Sequence, residues 1–93
     1  MGRSWDRIKA ERDSTAARSG YDRARRAFEF AEQVRRLREQ AGISQVELAR
    51  RMGTSQSAVA RLEGGGTMPT LDTLERVAAA LGAQLIVELR ATG

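Results

Sequence analysis

The chain has 93 residues, one domain at the usual ~150 residues per domain, and contains neither Cys nor His. That absence excludes disulfide frameworks, Cys/His zinc sites, cysteine nucleophiles and Ser-His-Asp arrangements, so the expectation is a protein that is not an enzyme, with no metal and no cofactor. Sixteen Lys+Arg against twelve Asp+Glu leave a formal net charge of +4, and fifteen of the sixteen bases are Arg. No apolar run approaches the ~18 residues that span a bilayer, and the first residues carry no apolar signal segment, which predicts a cytoplasmic protein without a membrane partner.

The hydrophobic fraction of 41% overstates the core, because fifteen of those residues are Ala. The strong core formers are five Val, three Ile, eight Leu and two Phe, and only Ile8 of these precedes residue 28. A stretch so poor in apolar side chains cannot offset its own ordering entropy. Charge divides at the same place: residues 1–26 carry eight bases and four acids, whereas residues 27–93 carry eight of each. The expectation is a basic, partly disordered N-terminal arm, 1–26, ahead of a compact domain, 27–93. A domain of that size is marginal by surface-to-volume scaling, which favours oligomerisation.

Tyr21 to Ala41 has no Gly or Pro and is rich in Ala, Arg, Glu and Gln. That predicts a helix with Phe30, Val34, Leu37 and Ala41 facing in and Arg35 and Arg36 on a solvated face. Gly42 supplies its stop. Ser44-Gln45-Val46-Glu47 reads as a capping box for a second helix with Leu48, Ala49 and Met52 inward, and Gly53 ends it. Thr54 or Ser55 caps a third helix reaching Glu63, with Val59 and Leu62 on its apolar side. Gly64-Gly65-Gly66-Thr67-Met68-Pro69 is a loop by composition, and its three consecutive glycines predict a loose one. Thr70 caps a fourth helix with Leu71, Leu74, Val77, Ala78 and Leu81 inward, closed by Gly82. From Gln84 to Arg90 the period becomes two, with Leu85, Val87 and Leu89 alternating with Ile86, Glu88 and Arg90, which predicts a single β-strand.

Two short helices joined by a tight Gly turn, the second rich in small polar side chains, make a helix-turn-helix. Ala49 suits a close helix crossing, and Gly53 adopts φ > 0 without a Cβ penalty. On the third helix Gln56 can bond adenine in bidentate fashion and Arg61 can reach guanine O6/N7. Ser55 and Ser57 can bond phosphates or bases, Thr54 is grouped with them, and N–H groups at a helix start suit phosphate. The triple glycine follows a helix and no Gly-Lys-Ser/Thr comes after it, so it does not read as a nucleotide cradle.

The run Gln45-x-x-Leu48-Ala49-x-x-x-Gly53-Thr54-Ser55-x-Ser57-x-Val59-x-Arg61-Leu62-Glu63-x-Gly65 resembles the Cro/phage-repressor (XRE) helix-turn-helix family, over about residues 28–81. Together with Pro69-Thr70-Leu71-x-Thr73-Leu74 and the closing Ala83-Gln84-Leu85-Ile86-Val87-Glu88-Leu89, it is most similar to HigA-type antitoxins of bacterial toxin–antitoxin pairs. The resemblance implies an all-α, lambda-repressor-like domain of four to five helices with one C-terminal β-strand. It implies a repressor of its own operon that also silences an RNA-cleaving, RelE/HigB-like toxin. By resemblance, Gln45 touches phosphate, Gln56, Ser57 and Arg61 face the major groove, and Arg38 pairs with Glu63 inside the fold. Ala60 departs from the pattern, offering no polar atom at an exposed recognition-helix position.

Trp5, Tyr21 and Phe28 fit no core stripe and form a candidate toxin-binding surface, with local packing as the other reading. Leu85, Ile86, Val87 and Leu89 belong to a strand with unpaired edges, and antiparallel pairing with a second copy satisfies them. Such a homodimer is isologous and sets two recognition helices roughly 34–36 Å apart, which predicts a pseudo-palindromic operator in double-stranded DNA and a nucleoid-associated protein when bound. The alternative for the interface is the fourth helix. Two other functions remain open: a stand-alone Cro-like regulator, for which residues 1–26 are a DNA-binding arm, and an interaction module that has lost DNA binding.

Overall fold

Four helices follow one another along the chain in the computed structural model, which describes the backbone of residues 2–92 and the side chains of residues 18–92. They are α1 (Gly2–Gln40), α2 (Gln45–Met52), α3 (Gln56–Gly64) and α4 (Leu71–Leu81). The architecture is all-α, as expected. The helix expected from Tyr21 starts at Gly2, so the segment set apart as an arm is, from Gly2, continuous with α1. Its interior holds no Pro, and its one internal glycine, Gly20, costs only about 1 kcal/mol against Ala.

Local chemistry sets the ends of the three short helices. Ser44, Ser55 and Thr70 sit in extended backbone, and their hydroxyls accept from the N–H groups of Glu47, Ala58 and Thr73. Each thereby satisfies an amide that the first helical turn leaves orphaned. The Ser44 cap is only half of the expected box. The Glu47 carboxylate is taken by Arg50 and Arg51 on its own helix rather than returning to the Ser44 N–H.

The buried core is Ala27, Ala31, Val34, Leu48, Ala49, Val59, Leu62, Leu74 and Val77, with Leu48 and Val59 fully enclosed. Ile43, Met52, Ala80 and Leu81 pack against its edge. The inner face of α1 is therefore Ala27, Ala31, Val34 and Arg38. The expected face is displaced: Val34 is buried, but Phe30 is half-buried and Leu37 and Ala41 are exposed. On α4, Leu74 and Val77 are buried as expected, whereas Leu71 is exposed. Small residues on α1 let neighbouring backbone come close, and large flanking ones cannot enter that narrow gap.

No strand forms among the described residues, which corrects the expectation for Gln84–Arg90. A strand needs a partner for its N–H and C=O groups, and one copy of this chain offers none. Leu85 leans into a hollow with Phe30, Leu37, Leu74 and Val77. Ile86, Val87 and Leu89 stay exposed, Leu89 almost fully at 97%. Of the apolar row Leu85, Val87 and Leu89, only Leu85 is partly covered within one copy. No described helix is long and apolar enough to cross a membrane.

Candidate nucleic-acid interface

The α2–α3 unit is held by its turn. Gly53 adopts φ 71°, donates its N–H back to Ala49 and Arg50, and is followed by Thr54 N–H donating to Ala49 O at 2.9 Å. Ala49 is buried, consistent with the close crossing its size allows. Ser55 then starts α3. Val59, Leu62 and Glu63 face inward from α3, whereas Gln56, Ser57, Ala60 and Arg61 are exposed. By helical periodicity, these four positions share one outward face. Thr54 and Ser55 lie exposed just ahead of it. The Ser55 oxygen already accepts from Ala58 N–H at 3.2 Å, leaving its hydroxyl hydrogen as the free function. No carboxylate pairs with Arg61 among the described residues, so its guanidinium is free to meet an external acceptor.

Behind that face lies a polar network. Arg38 of α1 donates through Nε to Glu63 Oε2 at 2.7 Å and through Nη2 to Glu63 Oε1 at 2.9 Å. Nη1 of the same guanidinium donates to Ile43 O at 3.0 Å, in the α1–α2 turn. Gln45, first residue of α2, donates Nε2 to Glu63 Oε1 at 3.3 Å. The Glu63 side chain is only 4% exposed and that of Arg38 14%. Hydrogen bonding to Glu63 raises the Arg38 pKa above the ordinary guanidinium value, outweighing the opposing effect of burial. No buried side-chain N or O among the described residues lacks a partner. The pairing of Arg38 with Glu63 is as the resemblance implied; the Gln45–Glu63 bond went unseen in the sequence.

Among the candidate partner-surface residues, Trp5 lies outside the described side chains. Tyr21 and Phe28 are 68% and 60% exposed and seven residues apart, two turns along one side of α1. Phe28 has a second role. Gly65 caps α3 at φ 72°, and a Cβ there would sit 3.3 Å from Phe28 Cα and Cδ2. Gly64 is the last helical residue and Gly65 the cap, so the triple glycine is not a uniformly loose loop.

Residues 34–86, more than half of the chain, match the helix-turn-helix family, and the chain belongs to it. It is a helix-turn-helix domain of the DNA-binding, transcription-regulator class. Over 65 residues it is 44% identical to Antitoxin HigA1 of Mycobacterium tuberculosis, covering 62% of this chain and 44% of that protein. Over 54 residues it is 48% identical to an uncharacterized HTH-type transcriptional regulator of Haemophilus influenzae, covering 57% of this chain and 55% of that protein. The matched part thus spans about half the length of these relatives.

Proposed function

We propose that this chain is a sequence-specific repressor that binds a pseudo-palindromic operator as a homodimer and serves as the antitoxin of a type II toxin–antitoxin pair. The observation that carries the DNA reading is the exposed Gln56–Ser57–Arg61 row on a helix capped at both ends and pinned from behind through Glu63. Gln56 and Arg61 read base edges, Ser57 serves either bases or phosphates, and Gln45, Thr54 and Ser55 hold the phosphate backbone. Leu85, Ile86, Val87 and Leu89 join two copies, since each tail supplies the edge the other lacks. The antitoxin part is supported by the likeness to a protein named Antitoxin HigA1. Its partner is a RelE/HigB-like, RNA-cleaving toxin, held on a surface that includes Trp5, Tyr21 and Phe28.

A stand-alone Cro-like regulator is the second reading, favoured by the likeness to a relative whose name mentions no toxin. The test is a titration of the purified chain against DNA from upstream of its own gene and against random duplex, over a range of salt. Tighter binding to the upstream fragment supports a specific regulator. Equal binding to both leaves only electrostatic attachment, and none at all sinks the DNA reading. Co-expression with the neighbouring open reading frame separates the two regulators: a retained complex that restores growth supports the antitoxin.

A further inference from the structure

We propose that Glu63 is the residue that positions Gln45 for phosphate, beyond its part in holding α1 to α3. The inference rests on the DNA-binding reading above. An ionised carboxylate only accepts, so a Gln amide meeting one must present N–H. Gln45 does so at 3.3 Å, to the same Oε1 that Arg38 Nη2 reaches at 2.9 Å. The carboxylate cannot swing away, because Arg38 holds both its oxygens and burial confines it. A free Gln side chain loses rotamer freedom when it grips a ligand. One anchored in advance has already lost it in the folded state, so less is lost on binding.

A negative group behind a phosphate contact is ordinarily unfavourable. Here Arg38 matches its charge at 2.7 Å, leaving the amide an acceptor to lean on without a net repelling charge. The second N–H of Gln45 remains for the phosphate. Arg38 also fixes Ile43 O, two residues ahead of Gln45, so one guanidinium secures both the backbone entering α2 and the acceptor for its first side chain.

The test is a double-mutant cycle on a random-sequence DNA duplex. Glu63→Asp keeps the charge that matches Arg38 but shortens the reach to Gln45. It is expected to weaken binding roughly tenfold in the wild-type background and hardly at all in a Gln45→Ala background. Equal losses in both backgrounds would mean a purely structural role and overturn the proposal. A second measurement needs no variant. The side-chain amide of Gln45 should be ordered on the ps–ns timescale by ¹⁵N relaxation in the DNA-free protein, and a freely rotating amide overturns the proposal even if Glu63→Asp fails to fold. Wild-type binding that Gln45→Ala leaves unchanged removes this proposal alone, whereas a wild type that binds no DNA removes the DNA reading as well.

Discussion

Gly65 lies hard against Phe28, so close that a methyl group on Gly65 would come within 3.3 Å of the Phe28 backbone. The contact joins the end of α3 to α1. Gly65→Ala therefore suffers twice, from a left-handed backbone and from a neighbour that cannot retreat. A loss of about 1–3 kcal/mol in urea unfolding is expected. Gly66→Ala is the control. Nothing lies within 4 Å of its Cβ position and its φ is not positive, so it should fall within about 0.5 kcal/mol of wild type. Equal effects at the two positions would contradict the assigned packing.

Glu63→Ala strands the Arg38 guanidinium in a mostly buried place. The expected cost is about 3–5 kcal/mol, read as a lowered urea midpoint with an unchanged slope. Replacing both partners by apolar residues of similar volume should recover most of that loss. A Glu63→Ala midpoint equal to wild type would show that the pair does not hold the fold.

Arg61→Ala should separate the two kinds of DNA contact. A base-reading arginine contributes on the order of 1–3 kcal/mol to its cognate site and much less to random duplex. Equal losses on both would move Arg61 to the phosphate-binding group.

Val87→Pro tests the tail. Proline removes an N–H and is poorly tolerated within a paired strand. Sedimentation should show a shift towards monomer, with circular dichroism still reporting the helices. An intact dimer would place the interface elsewhere, α4 being the other candidate.

Glu47 provides the acid-side prediction. Hydrogen bonds from Arg50 and then Arg51 lower its pKa from 4.5 to about 2. A depressed carboxyl contributes its stability in full above the ordinary value of 4.5 and loses it as the pH falls towards about 2. The effect on global stability is small, because the group is exposed and screened. The ¹³C shift of the Glu47 carboxyl should titrate with a midpoint near 2. Arg50→Ala should move that midpoint upward. A wild-type midpoint of 4.5 would mean that the pairing does not persist in solution.

Much of the fold was legible because its signals are local. Ser44, Ser55 and Thr70 act on amides three residues ahead, and Gly42, Gly53 and Gly82 carry the left-handed backbone that ends their helices. The inner face of α1 was less legible. Ala27 and Ala31 give a weak hydrophobic signal although they occupy its most crowded strip, while Phe30 and Leu37 give a strong one from its flank. The tail's alternation predicts a strand, but none forms in one chain, which offers its N–H and C=O groups no partner edge. The Gln45–Glu63 bond joins residues 18 apart across a turn, beyond any local periodicity. The exposed face of α3 was legible in part, since the apolar spacing of Val59 and Leu62 fixes the inward side and leaves Gln56, Ser57 and Arg61 outward.

The near-complete enclosure of Glu63 beside Arg38 also bears on how this sequence can change over time. Substituting either residue alone leaves one charge unmatched in a dry place, at about 3–5 kcal/mol, against a total stability for small proteins of about 5–15 kcal/mol. A chain with an apolar pair at positions 38 and 63 could be as stable as this one, yet every single-step route to it passes through a descendant close to unfolding. Neither position can drift while the other stays. The pair therefore persists through the depth of the valley between two solutions, whatever the difference in height between them.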